Sequence, residues 1–150
     1  MKHALASLLM LAATTFLADA RRINTRTIRE LNNMADIIIV VAQPVSTQDT
    51  AEQTVLPGIA PPVKVIGLSS EFAVSVVLKG DPELKHLVVH HYRLANPDER
   101  MFNAPDLASF NPKESTRYLL FLHREPHGRY APFDQTDPAA TSMLKLSGPE

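Results

Sequence analysis

Between residues 71 and 79 the side chains alternate: Phe72, Val74, Val76 and Leu78 fall on one side of an extended chain, and Glu71, Ser75 and Lys79 on the other. A helix would scatter these residues around its axis, whereas a period of two gives a strand with one apolar and one wet face. A chain with such a strand must supply partners for its edges and a core for its face. Residues 35–42, Ala-Asp-Ile-Ile-Ile-Val-Val-Ala, are the nearest candidate. Their β-branched side chains favour extended backbone, and their unbroken apolarity implies cover on both faces. Residues 24–33 carry Ile28 and Leu31 at helical spacing, with Thr27 as N-cap and Arg29, Glu30 and Asn32 toward water. They predict one short amphipathic helix covering one face of that strand. Pro44 is expected to end the ladder or to lie on an edge.

Residues 46–62, rich in Thr, Gln, Asp and proline with Gly58, read as a loop. Gly80-Asp81-Pro82 turns the chain. A third strand is expected over 86–94, a long proline-containing excursion over 95–115, and a fourth strand over 117–123. Glu125-Pro126-His127-Gly128 suits a type I turn, with a fifth strand over 129–133 and a last short one over 142–146. The expected fold is mainly β: a small five- to six-stranded antiparallel OB-like barrel with one short N-terminal helix. A barrel is favoured over a sandwich because closure removes exposed strand edges.

The first twenty residues constrain location. Lys2 and His3 precede an uncharged apolar run from 4 to 17, and Ala18-Asp19-Ala20 is an A-x-A cleavage site, with Ala18 and Ala20 as its processing residues. This pattern is that of a secretory signal peptide, so a periplasmic or secreted protein is expected. The run is shorter than the roughly 18 residues a spanning helix needs, so no stable membrane span is expected after cleavage. Removing residues 1–20 from the 150 leaves 130, enough for one domain, 21–150, and the formal charge stays at −1 because Lys2 and Asp19 leave together. Near-neutrality argues against nucleic acid as a partner. The absence of cysteine removes disulfides, thiol chemistry and cysteine-held zinc, so stability must come from packing.

Residues 35–40 (Ala-Asp-Ile-Ile-Ile-Val), 72–81 (Phe-Ala-Val-Ser-Val-Val-Leu-Lys-Gly-Asp), 118–122 (Tyr-Leu-Leu-Phe-Leu) and 128–132 (Gly-Arg-Tyr-Ala-Pro), in that order, resemble a diffuse group of uncharacterised exported bacterial OB-type barrel proteins. They are distantly similar to the netrin-like fold of tissue inhibitors of metalloproteinases. The resemblance spans about residues 30–146 and implies architecture. In the inhibitor family an amino-terminal cysteine chelates the protease zinc; Arg21 stands at the expected mature terminus here, so that mechanism is not carried over.

Chemistry-bearing residues are sparse. His86 and His90 share a strand face with Val88 and Tyr92, while His91 shares the other with Leu87 and Val89. If the third and fourth strands were neighbours, His90 or His91 would approach His123 and offer imidazoles to zinc or copper, the alternative reading. His86 and His90 lie four residues apart on a strand, over about 13 Å, too far for one ion. No serine sits in a nucleophile elbow, Ser75 lies mid-strand, and Asp98, Glu99 and Asp106 fall on a loop. No cofactor is implied. The expected function is a non-enzymatic exported module that contacts a protein or envelope component through its loops, with Phe102, Leu107 and Phe110 on the long excursion as the candidate contact residues.

Overall fold

The computed structural model describes residues 27–34, 37–56, 61–98, 107–133 and 142–146, and Thr27 heads the first of these segments with a reciprocal cap. The Thr27 hydroxyl accepts from the Glu30 N–H at 3.2 Å, and the Glu30 carboxylate accepts from the Thr27 N–H at 2.6 Å. This capping box opens α1 (Ile28–Asn33). Leu31 then packs on Ile39 and Phe121, so the helix covers one face of the first strand as its apolar run requires. The Lys79 ammonium donates to the carbonyls of Asn32 and Met34, tying the end of the helix to the sheet.

The strands are β1 (Ile37–Leu56), β2 (Val63–Lys79), β3 (His86–Leu94), β4 (Arg117–Arg124), β5 (Tyr130–Pro132) and β6 (Met143–Leu146). They form one six-stranded sheet in the order β1-β2-β3-β5-β4-β6, and β1 pairs additionally with β4. All ladders are antiparallel except a short parallel contact, Val89 with Tyr130, between β3 and β5. The main core draws Val40, Ala42, Phe72, Leu87, Val89, Phe110, Leu120, Leu122 and Tyr130 into one cluster. No helix among the described residues is long and apolar enough to cross a membrane.

Three expectations change. Residues 46–56 are not loop: they continue β1 and pair with β2 from Ser46 opposite Glu71 to Leu56 opposite Val63, so β2 too begins well before residue 71. Polar composition there marks a solvated ribbon, paired with β2 along one edge and interrupted by a bulge between Asp49 and Gln53, whose end is closed by Leu56, Val63 and Val65. Pro44 therefore does not end the ladder. It lies just past Ala42–Tyr118, the last β1–β4 pair, where one edge of β1 is free and a missing N–H costs nothing.

The alternation in β2 does not hold to its end. Opposite β1 the register skips Ser75 and then Leu78, so Val77 turns inward onto the core while Val76 is 48% and Leu78 61% exposed. Each bulge adds one unpaired residue and reverses the facing of everything beyond it. The turn after β4 also differs from type I. His127 has φ 65° and ψ 22°, and Gly128 follows with φ 74°. Two successive left-handed residues let the Glu125 N–H donate to the Arg129 carbonyl at 2.8 Å and return the chain in register.

Candidate functional site

Strand β3 places consecutive histidines in different surroundings. His91, 1% exposed, points inward with Leu87 and Val89, and its ring meets Phe110 edge-on at a centroid distance of 4.9 Å. Its Nδ1 lies 3.0 Å from the Ala108 carbonyl, which can only accept, so Nδ1 carries the proton. Nε2 is then an acceptor, and the Ser70 hydroxyl donates to it at 2.8 Å. With its proton so committed, Ser70 accepts from the Thr47 hydroxyl at 2.7 Å. The result is a directed chain, Thr47 to Ser70 to His91 to Ala108, joining β1, β2, β3 and the segment before β4. Burial, foremost, and the adjacent His90 push the imidazole down to about 4 against the opposing pull of the Ala108 carbonyl, so it is neutral near pH 7.

Beside this chain lies a cleft of about 590 Å³ whose walls include Thr47, Leu68, His91, Leu94, Leu107 and Phe110. Its outer edge carries Arg93, whose guanidinium makes a two-pronged contact with Asp49, Nε to Oδ1 at 3.0 Å and Nη2 to Oδ2. That hydrogen bond with Arg93 holds the Asp49 carboxyl below its usual range. The wall opposite β3 is the end of the long excursion. Phe110 is only 6% exposed and packs against Phe72, His91 and Tyr118, so most of its ring fills the core behind the cleft wall. Leu107 is half-buried over Leu56, Val63 and Val65. Phe102 lies outside the described residues, as do Ala18, Ala20, Glu99 and Asp106.

On the outer face of β3, His90 sits between Glu52 and Glu125, with Tyr92 and Arg129 beside it. Strand β5 stands between β3 and β4, so the neighbour relation that would have brought His90 or His91 to His123 is not met. His123 instead faces Phe133, at a ring-centroid distance of 6.2 Å. Among the described residues no group of three or more His, Asp and Glu has the geometry to hold a metal ion.

Sequence reasoning placed His91 on one strand face with Leu87 and Val89, without assigning that face to the core, and missed its partners. Ser70 lies 21 residues away and Ala108 17 away; the register of β2 against β3 brings up the first, and the packing of the segment before β4 on β3 the second. A weak signal was present: Ser69-Ser70 is a polar pair within an apolar extended stretch. In comparisons with known proteins, the chain matches no family model, no curated protein and no solved structure.

Proposed function

We propose that this chain is an exported, non-enzymatic binding module built on an OB-type closed barrel, and that it takes a protein or envelope component in the cleft between β3 and residues 107–110. Export rests on the apolar run and the A-x-A site ending at Ala20. Closure is supported by ladders that run β1–β2–β3–β5–β4 and lead back to β1. A single core cluster fed by all five of those strands supports it further. The short parallel joint at Val89–Tyr130 suits a five-stranded, partly open barrel. The OB-type and netrin-like part of the reading rests on the resemblance of the sequence segments alone, and the inhibitor-like reading extends no further than architecture.

The observation that carries the binding reading is the state of the cleft wall. Thr47, Ser70, His91 and Ala108 satisfy one another in one directed chain, which pre-organises a surface. The same chain argues against hydrolysis. Ser70 is fully buried, and a base held near 4 draws protons weakly at neutral pH. Apolar walls from Leu68, Leu94 and Leu107, with a few fixed polar groups, are the usual make-up of a recognition cleft.

Capture from an envelope extract, comparing the native chain with Ser109→Arg, tests this reading. Ser109 is exposed on the cleft wall, so the substitution fills the cleft without touching the core. The expected result is one component retained by the native chain and lost by the variant, with thermal stability unchanged. Equal retention by both, or an ester-hydrolysing activity that disappears in Ser70→Ala, overturns it.

A further inference from the structure

The outer face of β3 carries an ionic cluster built on one buried imidazole. His90 is 3% exposed, with Nδ1 3.0 Å from Glu125 Oε2 and Nε2 3.1 Å from Glu52 Oε2. The first contact is an aligned hydrogen bond; the second has ion-pair distance without that alignment. The Tyr92 ring stands edge-on to His90 at 4.9 Å, and its hydroxyl donates to Glu52 Oε1 at 2.7 Å. The Arg129 guanidinium lies 3.5 Å from the Glu125 oxygen that His90 holds, and His91, the next residue, is turned into the interior as a neutral ring.

Three separate stretches of chain therefore end on one imidazole. Glu52 belongs to the bulge where the β1 register jumps from Asp49 to Gln53, Tyr92 to β3, and Glu125 and Arg129 to the turn after β4. The bulge can lie so close because residue 67 is glycine: a Cβ there would stand 2.6 Å from Thr50 Oγ1 and 3.1 Å from Glu52 Cβ. The Thr50 hydroxyl donates to the Gly67 carbonyl at 3.0 Å, which seats the bulge over β2.

The number of protons on His90 decides how many arms it can hold. A neutral imidazole has one N–H, so whichever nitrogen lacks it turns a lone pair toward a carboxylate oxygen. Only the imidazolium donates to both. It also sets a second positive charge, beside that of Arg129, against Glu52 and Glu125, and the attraction is least screened at the imidazole, which is itself almost fully buried.

We infer that Glu52, His90 and Glu125 form a proton-operated latch, in which protonated His90 ties the β1 bulge to the β4–β5 turn and loss of the proton releases one arm. The released arm is Glu52, since the aligned bond goes to Glu125; Tyr92 is then the hydroxyl that still holds it. Asp49, immediately before the bulge, grips Arg93 at the cleft edge, so release of the bulge reaches that edge. The latch stands independently of what the cleft binds.

Amide hydrogen exchange resolved by NMR tests the latch in the native chain. Relative to Leu87 and Val89, and after correction for intrinsic exchange, protection at residues 50–53 should fall at least about tenfold as rising pH takes the proton from His90, followed through its own ring signals, the loss of one charge-assisted bond. His90→Gln should show no such step. Glu125→Gln should also remove it, because its amide donates to an unprotonated Nδ1 while Nε2–H serves Glu52, so both arms hold without the extra proton. An unchanged profile in the native chain, or a step that persists in Glu125→Gln, overturns the latch, and the second variant decides even if the first does not fold.

Discussion

His90 and His91 are neighbours on one strand, yet one sits in an ionic cluster on the outer face and the other in an uncharged hydrogen-bond chain against the core. His91 is surrounded by groups that need a neutral ring: a carbonyl on Nδ1, a hydroxyl on Nε2 and the edge of Phe110. His90 meets a carboxylate on each nitrogen. Both are almost completely buried, so burial alone does not set the chemistry of a histidine. What sets it is which partners the pleat and the register bring to each nitrogen, and a one-residue step along a strand changes all of them.

The comparison breaks most visibly at the inner face. Phe110 fills the space between Phe72, His91 and Tyr118, so Phe110→Ala should cost about 3–5 kcal/mol in chemical denaturation and free the His91 ring. A loss below about 1 kcal/mol would mean that the plug is dispensable.

Acid should separate the two histidines next. The folded-state value of His91 is depressed to about 4 from 6.5, so below about pH 6.5 the unfolded chain takes up the proton first and stability falls as pH drops toward 4, then levels off. The full loss is roughly 3 kcal/mol from this one group. Urea midpoints measured from neutral to acid pH should show that slope, and His91→Phe should flatten it. A slope that survives in His91→Phe assigns the effect elsewhere.

The outer face is probed through its glycine. Gly67→Ala drives a methyl into Thr50 and the stem of Glu52, lifting the bulge at a cost of about 1–3 kcal/mol while leaving the His91 chain intact. NMR shifts confined to residues 49–53, 67, 90, 92 and 93 would mark the expected pattern; shifts spreading to the His91 ring or Phe110 would show that the two faces are coupled. The smallest effect should come from the end of β2. Leu78→Ser, at an exposed position, should change stability by less than about 0.5 kcal/mol, whereas Val77→Ser removes a side chain packed on the core and should cost several times more. Reversed magnitudes would restore the unbroken alternation that the bulges interrupt.

Local physics made much of the chain legible. Thr27 and Glu30 stand three apart at the head of an apolar-periodic segment, β3 is bounded by residues 86 and 94 as its β-branched centre suggests, and β4 follows from the apolar run Tyr118–Leu122. Alternation also put His91 with Leu87 and Val89. The outer half of β1 was illegible because Ser46–Gln53 is mostly polar on both sides, and a ribbon held by backbone hydrogen bonds needs no apolar period; the outer half of β2 does carry Val63, Val65 and Leu68, a signal that went unread without its partner strand. The bulges at Ser75 and Leu78 were equally hidden, since an extra residue is visible only against a partner strand.

Taken alone, the order of residues determined that this chain would be mainly β with a short capped helix, that packing rather than sulfur would hold it, and which side of β3 each histidine would face. Those properties depend on neighbours a few residues apart, whose geometry the backbone imposes. Tertiary structure alone decided that Ser70 and Ala108 would keep His91 neutral, that Glu52 and Glu125 would meet on His90, and that Phe110 would plug the core. The histidine contacts join positions 17 to 38 residues apart, where strand register and the packing of loops on the sheet, and no local preference, select the partner.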